Sequence, residues 1–281
     1  MEATARKPGN VHPEANFEDM TYSDFLRSAE IAAPILAQAQ QLGVGTTILQ
    51  AVTATRQTIG RNTNLGMLLL LAPLAAVPSS QTLADGIPQV TQNLNNDDAK
   101  NVYEAIRLAA PGGMGSVPKA DISTPPDLTL REAMQLARSR DSIAEEYASD
   151  FALVTGQAAR ILAGATLADW ELRIVHLHLW FLARMGDTLI ARKCGEETSE
   201  EAQIWARHIF AEGWPETDGS VRLCQKFDRW LRADGHRRNP GTTADLVAAT
   251  LFVVLRDNLT TFPDWAGPPP CTGAAKGDGL G

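Results

Sequence analysis

Apolar residues recur three and four positions apart along most of this chain, and alternating patterns bounded by turns are almost absent. That spacing is the signature of helices that bury one face. It predicts helices over Tyr22 to Leu42 and Thr46 to Ile59, punctuated by Gly43, Gly45 and Gly60. Leu65 to Val77 is apolar nearly all round, which predicts a central, buried helix. Leu83, Ile87, Val90 and Leu94 continue the helical spacing, and Asp97 or Asp98 is placed to cap a helix running through Leu108. Thr129-Leu130-Arg131-Glu132 reads as a capping box opening a helix to about Ser149, and Thr198-Ser199-Glu200-Glu201 as a second one leading toward Phe210. Leu172 to Ile190 reads as one long helix with a break near Gly186 at most, followed by Val221 to Leu231 and Asp245 to Leu259. The expectation is an all-α protein: a single multi-helix domain over residues 1–262 with little or no sheet.

Two segments resist helical reading. Pro111-Gly112-Gly113-Met114-Gly115 through Pro125-Pro126 is too rich in glycine and proline to be regular, and it is the one candidate for an internal boundary. It reads either as a phosphate-contacting loop or lid, or as a plain connection. The segment 263–281, dominated by Gly, Pro and Ala, reads as a disordered tail.

Composition narrows the function. The net charge of −8 argues against nonspecific nucleic-acid or membrane-surface binding, because both need a basic face. Any phosphate site is therefore a local island of Lys and Arg. The apolar run Leu65 to Val77 has 13 residues with Pro73 inside, too short to span a bilayer, and Met1 to Lys7 lacks the apolar stretch of a signal peptide. Cys194, Cys224 and Cys271 form no CxxC pair and have no close His partner, which points away from zinc and disulfides and suits a reducing cytoplasm. The expected location is cytoplasmic, with no nucleic-acid or membrane partner.

Three glycine-bearing segments mix cations with amide and hydroxyl side chains: Lys7-Pro8-Gly9-Asn10-Val11-His12, Gly60-Arg61-Asn62-Thr63-Asn64-Leu65-Gly66, and His236-Arg237-Arg238-Asn239-Pro240-Gly241-Thr242-Thr243-Ala244-Asp245. The second and third run straight into long apolar helices. A helix start offers free N–H groups and partial positive charge, so both suit phosphate.

In this order, Lys7-Pro8-Gly9 with Phe25-Leu26-Arg27-Ser28, Asn62-Thr63 with Gly66, Asp187-Thr188-Leu189, and Pro240-Gly241 followed by Ala244-Asp245-Leu246-Val247-Ala248-Ala249-Thr250 resemble the triphosphoribosyl-dephospho-CoA synthase family. The resemblance runs from about Lys7 to Asp257. It implies an all-helical enzyme that moves the 5′-triphosphoribosyl group of ATP onto a ribose hydroxyl of dephospho-CoA, or a similar nucleotide, and releases adenine. Mg²⁺ would accompany the triphosphate. Two positions depart from the family pattern: His12 stands where Asp is usual, and Asn64 where His is usual. Asp187 through Lys193 resembles a divergent archaeal and one-carbon-metabolism branch, so phosphoribosyl transfer in tetrahydromethanopterin-type cofactor assembly is the second reading. A nucleotide-binding helical module without catalysis is the third, and a homo-oligomer is compatible with all of them.

On this reading Lys7, Gly9, Asn10, His12, Arg61, Asn62, Thr63, Asn64, Arg237, Arg238, Gly241 and Thr242 bind substrate or phosphate. Asp187 and Asp245 serve as acid, base or Mg²⁺ ligand, in an order the sequence does not fix. Each has a bland alternative. Pro8-Gly9 is also an ordinary turn, and Asn62 to Asn64 also cap a helix. Asp187 also caps the turn after Gly186, and Asp245 also complements a helix dipole. His176 and His178, two apart, fit core histidines better than a shared metal. Asp141 and Glu145 lie on one helix face, as a Mg²⁺ pair or as a solvated face paired with Arg138.

Overall fold

The computed structural model describes residues 1–109, 127–167 and 169–269. A 3₁₀ turn at Glu2–Thr4 precedes α1 (Tyr22–Leu36), α2 (Ala39–Leu42), α3 (Val44–Ile59), α4 (Leu65–Ala75), α5 (Leu83–Gln92) and α6 (Asn96–Ala109). After residues 110–126 come α7 (Leu130–Ala137), α8 (Ser142–Ala148), a π-helical segment (Leu153–Ala158), α9 (Ala159–Ala163) and α10 (Trp170–Met185). The chain continues with α11 (Thr188–Cys194), α12 (Glu196–Ala211), α13 (Asp218–Arg232) and α14 (Gly241–Arg256). Among the described residues there is no sheet, only an isolated bridge between His12 and Ala15. The protein is a single all-α domain, as the periodicity predicts.

The core follows from where apolar side chains have no polar face to offer. In α4, Leu68, Leu70, Ala72 and Leu74 are all at or near zero exposure, and α3, α6, α8 and α14 pack around it. The helix α10 is buried on two sides. Ile174, Leu177 and Phe181 join the main core, while Val175, Leu179 and Leu182 join a second cluster with α12 and α13. Among the described residues no helix is long and apolar enough to cross a membrane.

Several expected elements are cut, two of them where an aspartate side chain recaps the chain. The Tyr22 to Leu42 run divides after Leu36 into α1 and α2. The capping box at Thr129 and Glu132 forms, but its helix stops at Ala137, because Asp141 Oδ1 accepts from the backbone N–H groups of Ile143 and Ala144 and starts α8. Leu172 to Ile190 is split by Gly186 at φ 69°, which α10 needs in order to turn off its axis. The second expected capping box does not form. Helix α12 begins earlier, at Glu196, so Thr198 Oγ1 donates to the Cys194 carbonyl, and Ser199 serves another helix start. Asn95, not Asp97 or Asp98, caps α6: its Oδ1 accepts from both of their N–H groups. The described chain also stays packed beyond residue 262. Asp264 accepts from Trp170 N, and Trp265 lies edge-on to Trp170 at 4.5 Å. Residues 270–281, Cys271 and the Gly/Pro segment up to Pro126 lie outside the described residues.

The segment 149–158 gave no sequence signal and is irregular for a physical reason. Asp150 and Phe151 take φ of 52° and 59°, a left-handed pair that the bidentate Arg131–Asp150 ion pair holds in place, and the π-helical turn follows. Glu146, 1 % exposed, accepts from the N–H of Val154 at this junction. Burial pushes its carboxyl up to about 8. A carboxyl whose folded pKa is raised stabilises the fold when protonated, and that stability fades as pH rises from the ordinary carboxylate range through about 8. The stability gap between Glu146→Gln and wild type should therefore move in the variant's favour from pH 5 to pH 8.5. Urea melts at both values would show it, and a pH-independent gap would contradict it.

Candidate functional site

A cavity of about 810 Å³ opens where the starts of α4 and α14 meet. Its polar wall is built from Asn62, Thr63, Asn64 and Gly66 at the start of α4, and from Gly241, Thr242 and Asp245 at the start of α14. Both helices exceed ten residues, and both present backbone N–H groups and positive dipole ends to the same space. The opposite wall is apolar, with Val102, Ile106, Leu130, Met134 and Ile143 from α6, α7 and α8.

The two helix starts touch through one missing side chain. A Cβ on Gly66 would stand 1.9 Å from Asp245 Oδ2 and 2.5 Å from its Cγ. Only glycine leaves room for that carboxylate to lie against α4. Among the described residues, Asp245 makes no hydrogen bond or ion pair. Burial drives its proton affinity well above the usual carboxylate value, and the charges of Glu2, Asp187 and Asp141 push it further. Arg192 opposes them.

Asp187 is built differently. Fully enclosed, its Oδ1 accepts from Leu189 N and Ile190 N, and its Oδ2 from the backbone N–H and the hydroxyl of Thr243. Ser199 Oγ receives the Asp187 N–H and donates to the Asp187 carbonyl. Asp187 therefore caps α11 and pins it to α14. It does not line the cavity, and no lone pair remains for Mg²⁺ or for acid–base work. Burial still raises its carboxyl, against the pull of those four bonds.

Of the other expected ligands, Asn10, Arg61, Asn62, Thr63, Asn64, Gly241 and Thr242 line the cavity. Arg61 Nη1 donates to the Asp19 carbonyl and lies 3.7 Å from Asp24. Asn62 Oδ1 caps α4 at Leu65 N, and Thr63 is buried against the Ser28 hydroxyl. Lys7, Gly9, His12, Arg237 and Arg238 do not line it. Lys7 is completely buried, with its Nζ on the Glu2 carboxylate at 2.8 Å. Gly9, at φ 77°, packs against Leu231 and Pro240 and donates to Asp228 Oδ1, so its role is to seat the N-terminal segment on α13. His12 lies by Arg232 and Glu14, its proton affinity lowered by burial. Arg237 donates to the Lys193 carbonyl and pairs with Asp234, while Arg238 stacks on Trp230 at 4.6 Å. Of the two departures from the family pattern, His12 is off the cavity and Asn64 is on it.

The structure brings to the cavity residues that were not named among the expected ligands. Lys7 holds Glu2 on the cavity wall. Arg192, paired with Asp141 Oδ2 at 3.0 Å, lines the rim together with Lys193 and Arg140. Burial lowers the proton affinity of Lys193. His236 stacks on Phe17 at 4.9 Å, with its Nε2 3.6 Å from Asp19. Arg192 and Lys193 close the Asp187-to-Lys193 stretch quoted above, and His236 opens the third glycine-bearing segment, so their signal lay inside quoted motifs. Glu2 had none.

In this all-helical domain two helix starts, several cations and the unpaired Asp245 carboxyl surround one cavity. The CitG family, described as ATP:dephospho-CoA triphosphoribosyl transferase, matches residues 1–263, and this chain belongs to it. Its fold is similar to a crystal structure described as a "putative triphosphoribosyl-dephospho-coA synthase" from Archaeoglobus fulgidus, with a TM-score of 0.67 and 24% identity, covering 84% of this chain and 100% of that one. No curated protein shows significant similarity to the chain.

Gly66→Ala should push the Asp245 carboxylate out of its place while leaving the surrounding core intact. Displacements of about 1 Å at a reacting centre cost on the order of a hundredfold in rate. Turnover should fall by about that factor with the melting temperature nearly unchanged; undiminished turnover would disconnect Gly66 from the site.

Proposed function

We propose that the cavity binds ATP with its triphosphate across the starts of α4 and α14 and transfers the 5′-triphosphoribosyl group to the ribose 2′-hydroxyl of dephospho-CoA. The observation that carries this reading is the unpaired Asp245 carboxylate held between two helix starts. The hydroxyl oxygen bonds to the anomeric carbon as the bond from that carbon to adenine breaks. The hydroxyl proton passes to Asp245, and adenine departs with the bonding electrons and takes up a proton from solvent. Such a transfer builds positive charge on the sugar, which a nearby carboxylate stabilises. A carboxylate with raised proton affinity is suited to accept a proton near neutral pH. Arg61, Arg140, Arg192 and Lys193 are among the cations lining the cavity and available to the phosphates, and the apolar lining from α6 and α7 suits the uncharged arm of the acceptor.

Among the described residues no group of three or more His, Cys, Asp or Glu side chains forms a cage for a metal. Mg²⁺ on a triphosphate asks less, since phosphate oxygens and water fill most of its shell and one or two carboxylates complete it. Glu2 and Asp245 keep oxygens that no protein donor takes, so the donor set fits that mode. The ion would there neutralise phosphate charge.

Asp245→Asn should reduce adenine release from ATP and dephospho-CoA by at least about a hundredfold, the scale of a lost proton acceptor. Its melting temperature at pH 7 should equal or exceed that of wild type, because a neutral amide replaces an unpaired carboxyl whose charged form burial disfavours. In wild type, kcat/KM should fall on acidification at a pH above the ordinary carboxylate range, since Asp245 must be deprotonated to act. Chromatographic detection of adenine checks the rates and a thermal melt checks the stability; wild-type release by the variant would remove Asp245 from the chemistry. Release of adenine with a pterin acceptor but not with dephospho-CoA would replace the acceptor.

A further inference from the structure

Asn10 is clamped at every polar group but one. Its N–H reaches the Lys7 carbonyl at 3.2 Å, and its carbonyl accepts from Arg232 Nη2 at 2.6 Å. Its side-chain nitrogen donates to Asn239 Oδ1 at 2.6 Å and to the Pro240 carbonyl at 3.4 Å. The Pro240 carbonyl can only accept, so the amide orientation is fixed: nitrogen toward the start of α14, oxygen the other way. That oxygen, Oδ1, is buried without a hydrogen-bond partner, on a residue 5 % exposed that lines the cavity.

A buried acceptor without a partner is costly and calls for a donor. Phosphate oxygens at neutral pH are themselves acceptors, so a phosphate beside Oδ1 would leave two acceptors facing each other. Asn10, expected from the sequence among the substrate and phosphate ligands, is therefore wrong for phosphate and right for a hydroxyl or amine. We propose that Asn10 Oδ1 accepts a hydrogen bond from a ribose hydroxyl of the bound nucleoside triphosphate, so that the site reads the sugar here. This rests on the reading of the cavity as an ATP site. The location favours the sugar over the base, because Asn10 is bonded to the residues that begin α14, where the triphosphate is placed, and the ribose is one ester bond from that triphosphate. The clamped amide makes the acceptor rigid, so little entropy is lost when the hydroxyl arrives.

Calorimetric titration of the full chain with ATP, 2′-deoxy-ATP, 3′-deoxy-ATP, ITP and inorganic tripolyphosphate tests this. Wild type should bind ATP about two- to tenfold more tightly than one of the two deoxy analogues, the range of a single neutral hydrogen bond. In Asn10→Ala that preference should vanish while tripolyphosphate affinity holds, which also reports an intact fold. Asn10→Ser, which keeps an acceptor, should restore part of it. A deoxy preference unchanged in Asn10→Ala would overturn the proposal, and so would parallel loss of tripolyphosphate binding. A lost preference for ATP over ITP with the deoxy ratios intact would move the contact to the base and overturn it too. Failure of wild type to bind either ATP or tripolyphosphate would instead sink the ATP-site reading, and this assignment with it.

Discussion

The buried Asp187 carboxylate is the joint from which the site is hung. Three of its four hydrogen bonds satisfy orphan N–H groups at the starts of α11 and α14, and the fourth comes from the Thr243 hydroxyl. A carboxylate withdrawn from water is tolerable only when its lone pairs are taken up in this way, and removing its partners would strand a charge in the interior. Because Asp187 fixes α14 against α11, it also fixes where Gly241, Thr242 and Asp245 emerge, and on which side Arg192 and Lys193 stand. The second contact in the chain of dependence is steric: α4 approaches α14 closely only because residue 66 carries no side chain. One aspartate is thereby spent on architecture so that the other can stand unpaired. The sequence presents the two as equivalents, and their surroundings make them opposites.

Most of the fold was legible because helix burial writes a 3.6-residue period into sequence, and an apolar-all-round stretch such as Leu65 to Ala75 has nowhere to go but the centre. What was not legible were the places where a polar side chain serves a partner distant in sequence. Ser199 looks like part of a capping box, yet it completes the Asp187 turn. Asp98 looks like a cap, yet it accepts from Gly45 N as well as Asn95 N. The break at Asp141 follows from a cap that a continuous amphipathic pattern hides. The left-handed pair at Asp150 and Phe151 carries no glycine to announce it, and depends on Arg131 arriving from α7.

The site was legible by segment and less so by residue. The starts of α4 and α14 were marked by glycine, amide and hydroxyl residues ahead of apolar runs, and both came to the cavity. The N-terminal segment came too, through Asn10, but Lys7 turned inward. A lysine sequesters its ammonium when carbonyls and a carboxylate of its own segment supply the hydrogen bonds that water would otherwise give, and Glu2 together with the Glu2 and Ala5 carbonyls does this. Arg237 and Arg238 failed for a related reason: planar guanidinium groups find carbonyls and an aromatic face nearby and are held there. Counting cations near a motif cannot distinguish those consumed by the fold from those left for a ligand.

The charge balance of the cavity resolves an apparent contradiction. A chain of net charge −8 repels polyanions at long range, so affinity for a polyphosphate has to come from short-range features. Helix N-termini are such features, since their field fades within about a turn. The carboxylates Glu2, Asp141 and Asp245, which line the same cavity as Arg61, Arg192 and Lys193, look counterproductive for anion binding. They are the expected arrangement for a transfer in which phosphate must be gripped while a few ångströms away a sugar carbon turns positive and a hydroxyl sheds its proton. A uniformly basic pocket would hold the triphosphate tightly and oppose both events, binding ground state and transition state alike. On the proposed reading, mixed charge with one carboxylate kept free by a glycine makes the cavity suited to the transfer as well as to holding phosphate.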